Sequence, residues 1–109
     1  MVRSKSEAHI AWALYNHHIP YRYECDLQTE ATTYYPDFTI RHPKTGELYI
    51  WEHFGMMDNP TYYQTAFGKM ETYNKLGYVL SVNFIATFET SSHPLDFELV
   101  EAIIQHYFS

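Results

Sequence analysis

Two short apolar runs, Tyr34-Tyr35-Pro36-Asp37-Phe38-Thr39-Ile40 and Leu48-Tyr49-Ile50-Trp51-Glu52-His53-Phe54, flank Pro43-Lys44-Thr45-Gly46. A loop with proline early and glycine last predicts a hairpin built on a type I turn that closes in a left-handed residue. If His42 pairs with Glu47, the register puts Asp37 directly across from Glu52. Alternation along each strand then assigns Asp37, Thr39, Ile50 and Glu52 to one face, and Phe38, Ile40, Tyr49 and Trp51 to the other. Both faces are mostly apolar, so the sheet is expected to be covered on both sides, with the two carboxylates at the end of an otherwise buried surface.

Around this hairpin the chain alternates helical and extended patterns. Ser4 with Glu7 three residues on forms a capping box, and a helix runs to the His17-His18 pair. Ile10, Ala11, Leu14 and Tyr15 mark its buried stripe, with Glu7 one turn earlier pointing toward the core edge. Residues 21–25 alternate and read as the first strand, while 26–33 are polar and connective. Asn59 caps a second helix that has Pro60 at its first position and stops at Gly77. Tyr62, Ala66, Lys69 and Tyr73 share one stripe of it, and Lys69 and Tyr73, one turn apart, reach the same spot. Residues 78–84, continuing toward Phe88, are β-branched and aromatic enough for a strand. Pro94 opens a last helix with Leu95, Leu99, Ile103 and Tyr107 on its buried face. The order α-β-β-β-α-β-α includes a strand–helix–strand crossover, which predicts an α/β fold with a mixed sheet flanked by helices.

At 109 residues there is room for one domain, 1–109, around one core. Tyrosine is heavily used, which suits a core with wet edges or a surface that stacks on a ligand. The formal net charge of −6 argues against a broad basic surface for nucleic acid, although bound divalent ions invert the local field of an acidic site. A single cysteine, Cys25, cannot form an internal disulfide and is expected as a buried strand residue in a cytoplasmic or other reducing compartment. No stretch approaches the length of an apolar membrane span, so no membrane partner is expected.

Alone, Asp37 reads as a turn or cap residue and Glu52 as a strand-end carboxylate in solvent. Placed opposite each other they repel, unless one is protonated or a cation sits between them. Hard oxygen ligands of this kind match Mg2+ or Mn2+ far better than zinc. His53 points to the face opposite Glu52 and reads as a supporting residue. Glu7 alone reads as the capping-box acid, Lys69 as a solvated helix lysine and Tyr73 as a core aromatic.

Pro36-Asp37, a hairpin and then Glu52 resemble the PD-(D/E)XK nuclease signature. The longer Tyr35-Pro36-Asp37-Phe38 and Trp51-Glu52-His53-Phe54-Gly55 resemble the nuclease-like domain of helicase IV-type superfamily 1 DNA helicases. The likeness covers residues 3–78. It implies a restriction-endonuclease-like core and metal-dependent hydrolysis of DNA in repair, recombination or restriction, with RNA left open as a substrate. It also implies a helicase domain in the same or a partner chain. By the same resemblance Glu7 is a further metal-site acid beside Asp37 and Glu52, and the helix after the glutamate strand supplies a polar residue and a tyrosine, here Lys69 and Tyr73. Phe54 stands where the family carries its lysine, so Lys69 is expected to replace it in space. That phenylalanine and the net charge also fit an alternative, a catalytically degenerate module of the same fold that binds DNA or a protein. A plain protein-interaction domain is a third reading, resting on charge and tyrosine content.

Overall fold

A computed structural model describes residues 4–109. Its central feature is the hairpin in the expected register. β4 (Phe38–Arg41) and β5 (Leu48–Phe54) run antiparallel with Phe38 opposite Trp51, Thr39 opposite Ile50 and Ile40 opposite Tyr49. The turn closes as its sequence dictates. Gly46 adopts φ 77°, the His42 amide donates to the Glu47 carbonyl at 2.8 Å, and His42 Nδ1 accepts the Lys44 and Thr45 amides.

β1 (Tyr21–Tyr23) pairs antiparallel with β4, and β6 (Phe84–Phe88) pairs parallel with β5, giving a mixed sheet of order β1-β4-β5-β6. Among the described residues three helices flank it: α1 (Lys5–Asn16), α2 (Pro60–Lys75) and α3 (Phe97–Phe108). The chain is thus an α/β fold, and the two-faced pattern explains its layering. Phe38, Ile40, Trp51 and Ile85 pack against α1 and α3 through Ile10, Leu14, Val100, Ile104 and Phe108. On the other face Ile50, Phe54 and Phe84 pack against Ala66 and Tyr73 of α2.

Several expectations are corrected. Cys25 is half-buried beyond the end of β1, because Glu24 turns left-handed at φ 51° and ends the strand. The connective stretch contains a small second sheet, β2 (Leu27–Gln28) with β3 (Thr33–Tyr34), closed by the Thr29 side chain over residues 31–32. The last strand begins at Phe84. Gly77 at φ 98° ends α2, and the Asn83 side chain, accepting from the Val79 amide and donating to the Gly77 carbonyl, wraps the intervening residues into a turn. Tyr15 is exposed, because α1 meets the core through Ile10, Ala13 and Leu14. Asp96, not Pro94, caps α3, and its buried stripe is Val100, Ile104 and Phe108, leaving Leu99 exposed and Ile103 and Tyr107 at the margins. Among the described residues no helix is long and apolar enough to cross a membrane.

Candidate active site

β4 pairs with β5 only as far as Trp51, so residues 52–54 run on past the antiparallel ladder while still pairing with β6. At that opening the two acids take over the missing backbone bonds. The Asp37 amide donates to Glu52 Oε1 at 2.8 Å, and the His53 amide donates to Asp37 Oδ2 at 2.8 Å. Pro36 has no amide hydrogen to offer the ladder and is fully buried, which fixes where β4 begins. Each carboxylate therefore satisfies a backbone donor of the other's strand.

Burial, followed by the charge of Glu52, pushes Asp37 up to about 7, despite the His53 amide that favours its ionised form. Burial also raises Glu52, outweighing Lys69 and the Asp37 amide, both of which pull the other way. In the absence of a cation the pair favours holding a proton.

Lys69 reaches this pair from α2. Its Nζ lies 3.3 Å from Glu52 Oε2, with the lysine side chain 43% exposed and the glutamate only 2%. The helix–sheet packing puts it there: Ala66 and Tyr73 on the same stripe are both buried against β5 and β6. Phe54, in the position where the resembled family has lysine, is locked in that core and stacks on Phe88. Tyr73 is buried beneath Glu52 and is absent from the lining of the cleft. Burial, reinforced by the Glu52 and Asp37 carboxylates, raises its phenol, so it stays neutral. Tyr73 thus stands as a support behind Glu52.

Glu7 closes the cleft from α1. Its amide donates to the Ser4 cap hydroxyl, which in turn lies 3.2 Å from its Oε2, and Tyr23 donates to its Oε1 at 2.5 Å. Its negative field raises both Asp37 and Glu52. Glu7 serves the cap and faces the acid pair at once.

His53 lies on the opposite sheet face, as alternation requires, in a buried chain of polar groups. Trp51 Nε1 donates to Thr87 Oγ1 at 3.1 Å, His53 Nδ1 sits 2.8 Å from that oxygen, and His53 Nε2 sits 2.7 Å from Glu89 Oε1. Ser6 at the start of α1 donates to the same Glu89 oxygen at 2.7 Å. Burial raises Glu89, but the bonds from Ser6 and His53 prevail and leave its carboxyl below the ordinary value. Sequence reasoning missed Glu89, Thr87 and Ser6. The signal for the first two was the run toward Phe88: Thr87 pairs with His53, and Glu89 is two residues on, on the same face.

Glu7, Asp37, Glu52, His53, Lys69 and Glu89 line a cleft of about 470 Å³ between α1, the hairpin end and α2. A second cavity of about 570 Å³ adjoins it, sharing Gly55, Met56 and Glu89. Among the described residues no group of three or more His, Cys, Asp and Glu side chains is gathered closely enough to hold a metal ion. Two hard carboxylates, both raised by burial, nevertheless suit an ion such as Mg2+, which takes one or two protein carboxylates and fills the rest of its shell with water and substrate oxygens. No protein-family model, curated protein or solved structure matches this chain.

Proposed function

We propose that this chain is a PD-(D/E)XK nuclease-like domain with a restriction-endonuclease-like core, hydrolysing DNA phosphodiester bonds with Mg2+ or Mn2+. One observation carries the reading: Asp37 and Glu52 meet at the open end of a hairpin, with the Lys69 ammonium 3.3 Å from Glu52. An opposed acid pair inside a sheet costs stability, and here it is placed beside a cation in a solvent-reaching cleft. The adjoining cavities suit a chain-like substrate better than a small compact one.

In this reading Asp37 and Glu52 hold the divalent ion, with Glu7 adding negative field from α1. When bound, the ion polarises the phosphate and makes hydroxide accessible at neutral pH. Lys69 has the remaining charged role. Its ammonium orients the attacking water and offsets the negative charge that grows on the phosphate oxygens. Tyr73 supports Glu52 from below, and the His53–Glu89–Ser6 chain ties α1 to the sheet so that Glu7 keeps its place. A helicase domain in the same or a partner chain would present the substrate.

A catalytically degenerate module is the second reading, favoured by Phe54, whose burial closes the strand position to a lysine. The two are separated by incubating linear and circular DNA with Mg2+ or Mn2+. Cleavage that Asp37→Ala and Glu52→Ala each remove supports the nuclease. Metal binding without cleavage in the parent protein supports the degenerate module, and neither binding nor cleavage rejects both.

A further inference from the structure

We infer that Arg22, Thr39 and Arg41 form a second, non-catalytic site that binds a phosphate group. Arg22 lies directly opposite Thr39 across the β1–β4 ladder, and Arg41 is two residues further along β4. All three therefore share one face, and the arginines are diagonal neighbours, whose Cα atoms lie about 7–8 Å apart in such a ladder. That spacing lets two guanidinium groups close on one tetrahedral anion. The three residues line a cavity of about 420 Å³ whose walls include Pro20, Tyr21 and Leu48 and hold no carboxylate. It shares no lining residue with the catalytic cleft.

Charge supplies the second argument. The chain has thirteen acids against seven Lys and Arg, so an arginine ordinarily finds a carboxylate nearby. Among the described residues neither Arg22 nor Arg41 has an acidic partner in an ion pair. Arg41 Nη1 donates to the Gly46 carbonyl at 2.8 Å, which anchors the guanidinium at the hairpin end and leaves its other donors free. Two like charges placed side by side repel until an anion joins them, and a planar fork of donors matches phosphate oxygens in pairs. This is the inverse of the Asp37–Glu52 arrangement, on the same face of the same strand. The α2 helix covers that face at β5 and β6 through Ala66 and Tyr73, whereas Arg22 and Arg41 are exposed.

The ligand chemistry is a phosphate monoester or diester, from a nucleic-acid backbone or as free phosphate. The test is an NMR titration of metal-free protein, following arginine side-chain signals and the Thr39 amide, with inorganic phosphate and separately with a short oligodeoxynucleotide. Phosphate is expected to shift the Arg22 and Arg41 signals. Arg22→Gln, at an exposed position that leaves the fold intact, should weaken binding about tenfold or more, equivalent to the loss of a charge-assisted contact. Asp37→Ala should leave the shifts of the Arg22 and Arg41 signals with inorganic phosphate unchanged, which separates this site from the cleft and from the nuclease reading. An oligonucleotide acting at lower concentration than phosphate identifies a nucleic-acid backbone as the source, and phosphate acting at lower concentration identifies the free anion. Signals that do not move with either ligand, or that move equally in Arg22→Gln, overturn the inference.

Discussion

The Glu52 carboxylate accepts the Asp37 amide at 2.8 Å while the Asp37 carboxylate accepts the His53 amide at 2.8 Å, so two repelling acids also stitch their strands together. Repulsion alone would lead one to expect that deleting either acid relieves the fold. The reciprocal bonds oppose that: truncation to alanine strands a backbone donor, at a cost of about 1–3 kcal/mol if water cannot replace the acceptor. Charge and hydrogen bonding must be separated by substitution.

Asp37→Asn does so, keeping an oxygen to accept the His53 amide while removing the charge. In metal-free buffer above neutral pH this variant is expected to melt higher than the parent, and Asp37→Ala lower than Asp37→Asn. Calorimetry on the three proteins checks the order. Equal melting temperatures for the two variants would show that the carbonyl acceptor carries no weight.

The pH dependence follows from Asp37, whose carboxyl is pushed up to about 7 in the fold against an ordinary 3.8. Between those values the folded chain holds a proton that the unfolded chain has released. Stability associated with this group is therefore full below the ordinary value, falls as pH rises through the window and levels off above about 7. Urea unfolding with chelator present should give a lower midpoint at about pH 8 than at about pH 5, with Asp37→Asn flattening the profile. Under the proposed function, millimolar Mn2+ should restore the midpoint at the higher pH, because the ion stabilises the ionised pair.

The hairpin register, the faces of its strands and the stripe that brings Lys69 to Glu52 were legible because period-two and helical patterns, a Pro…Gly loop and an Asn-Pro cap each fix geometry locally. What escaped depends on contacts distant in sequence. Leu99 and Val100 are both apolar, and only the packing of α3 on α1 decides which faces inward. The turn after Gly77 reads as strand by composition, but Asn83 satisfies its backbone through its own amide group. Strand alternation puts Glu89 on the face of Thr87, but its role escaped because its partners, His53 and Ser6, lie 36 and 83 residues away.

That distant chain gives a further expectation. Glu89→Ala removes the acceptor for Ser6 and His53 and should cost about 1–3 kcal/mol, as expected when a hydrogen-bonded group is left without its partner. The loss should appear equally with and without divalent ions, since Glu89 supports α1 and His53 in either condition. Chemical denaturation checks it. A variant as stable as the parent would mean that water replaces the carboxylate.

Lys69 gives the sharpest division between structure and chemistry. Its side chain is 43% exposed, so solvent screens the pair and the direct attraction to Glu52 is worth little, about 0–1 kcal/mol for an exposed pair. Glu52, however, is 2% exposed and relies on that ammonium to offset part of its burial. Lys69→Met should therefore raise the Glu52 carboxyl further, which makes the variant's stability fall more steeply with rising pH than the parent's while leaving it little changed in acid. Lys69→Arg keeps the charge and should restore the parent's pH profile. Under the proposed function, cleavage by Lys69→Met should drop by on the order of a hundredfold or more, the usual loss when a single charge-stabilising donor is removed. Arginine should recover only part of that rate, because its planar fork cannot place one point charge where an ammonium does. If both variants cleaved DNA at the parent rate while showing the expected stability profiles, Lys69 would be a structural counter-ion to Glu52, and the charge in the transition state would have to be met by another group.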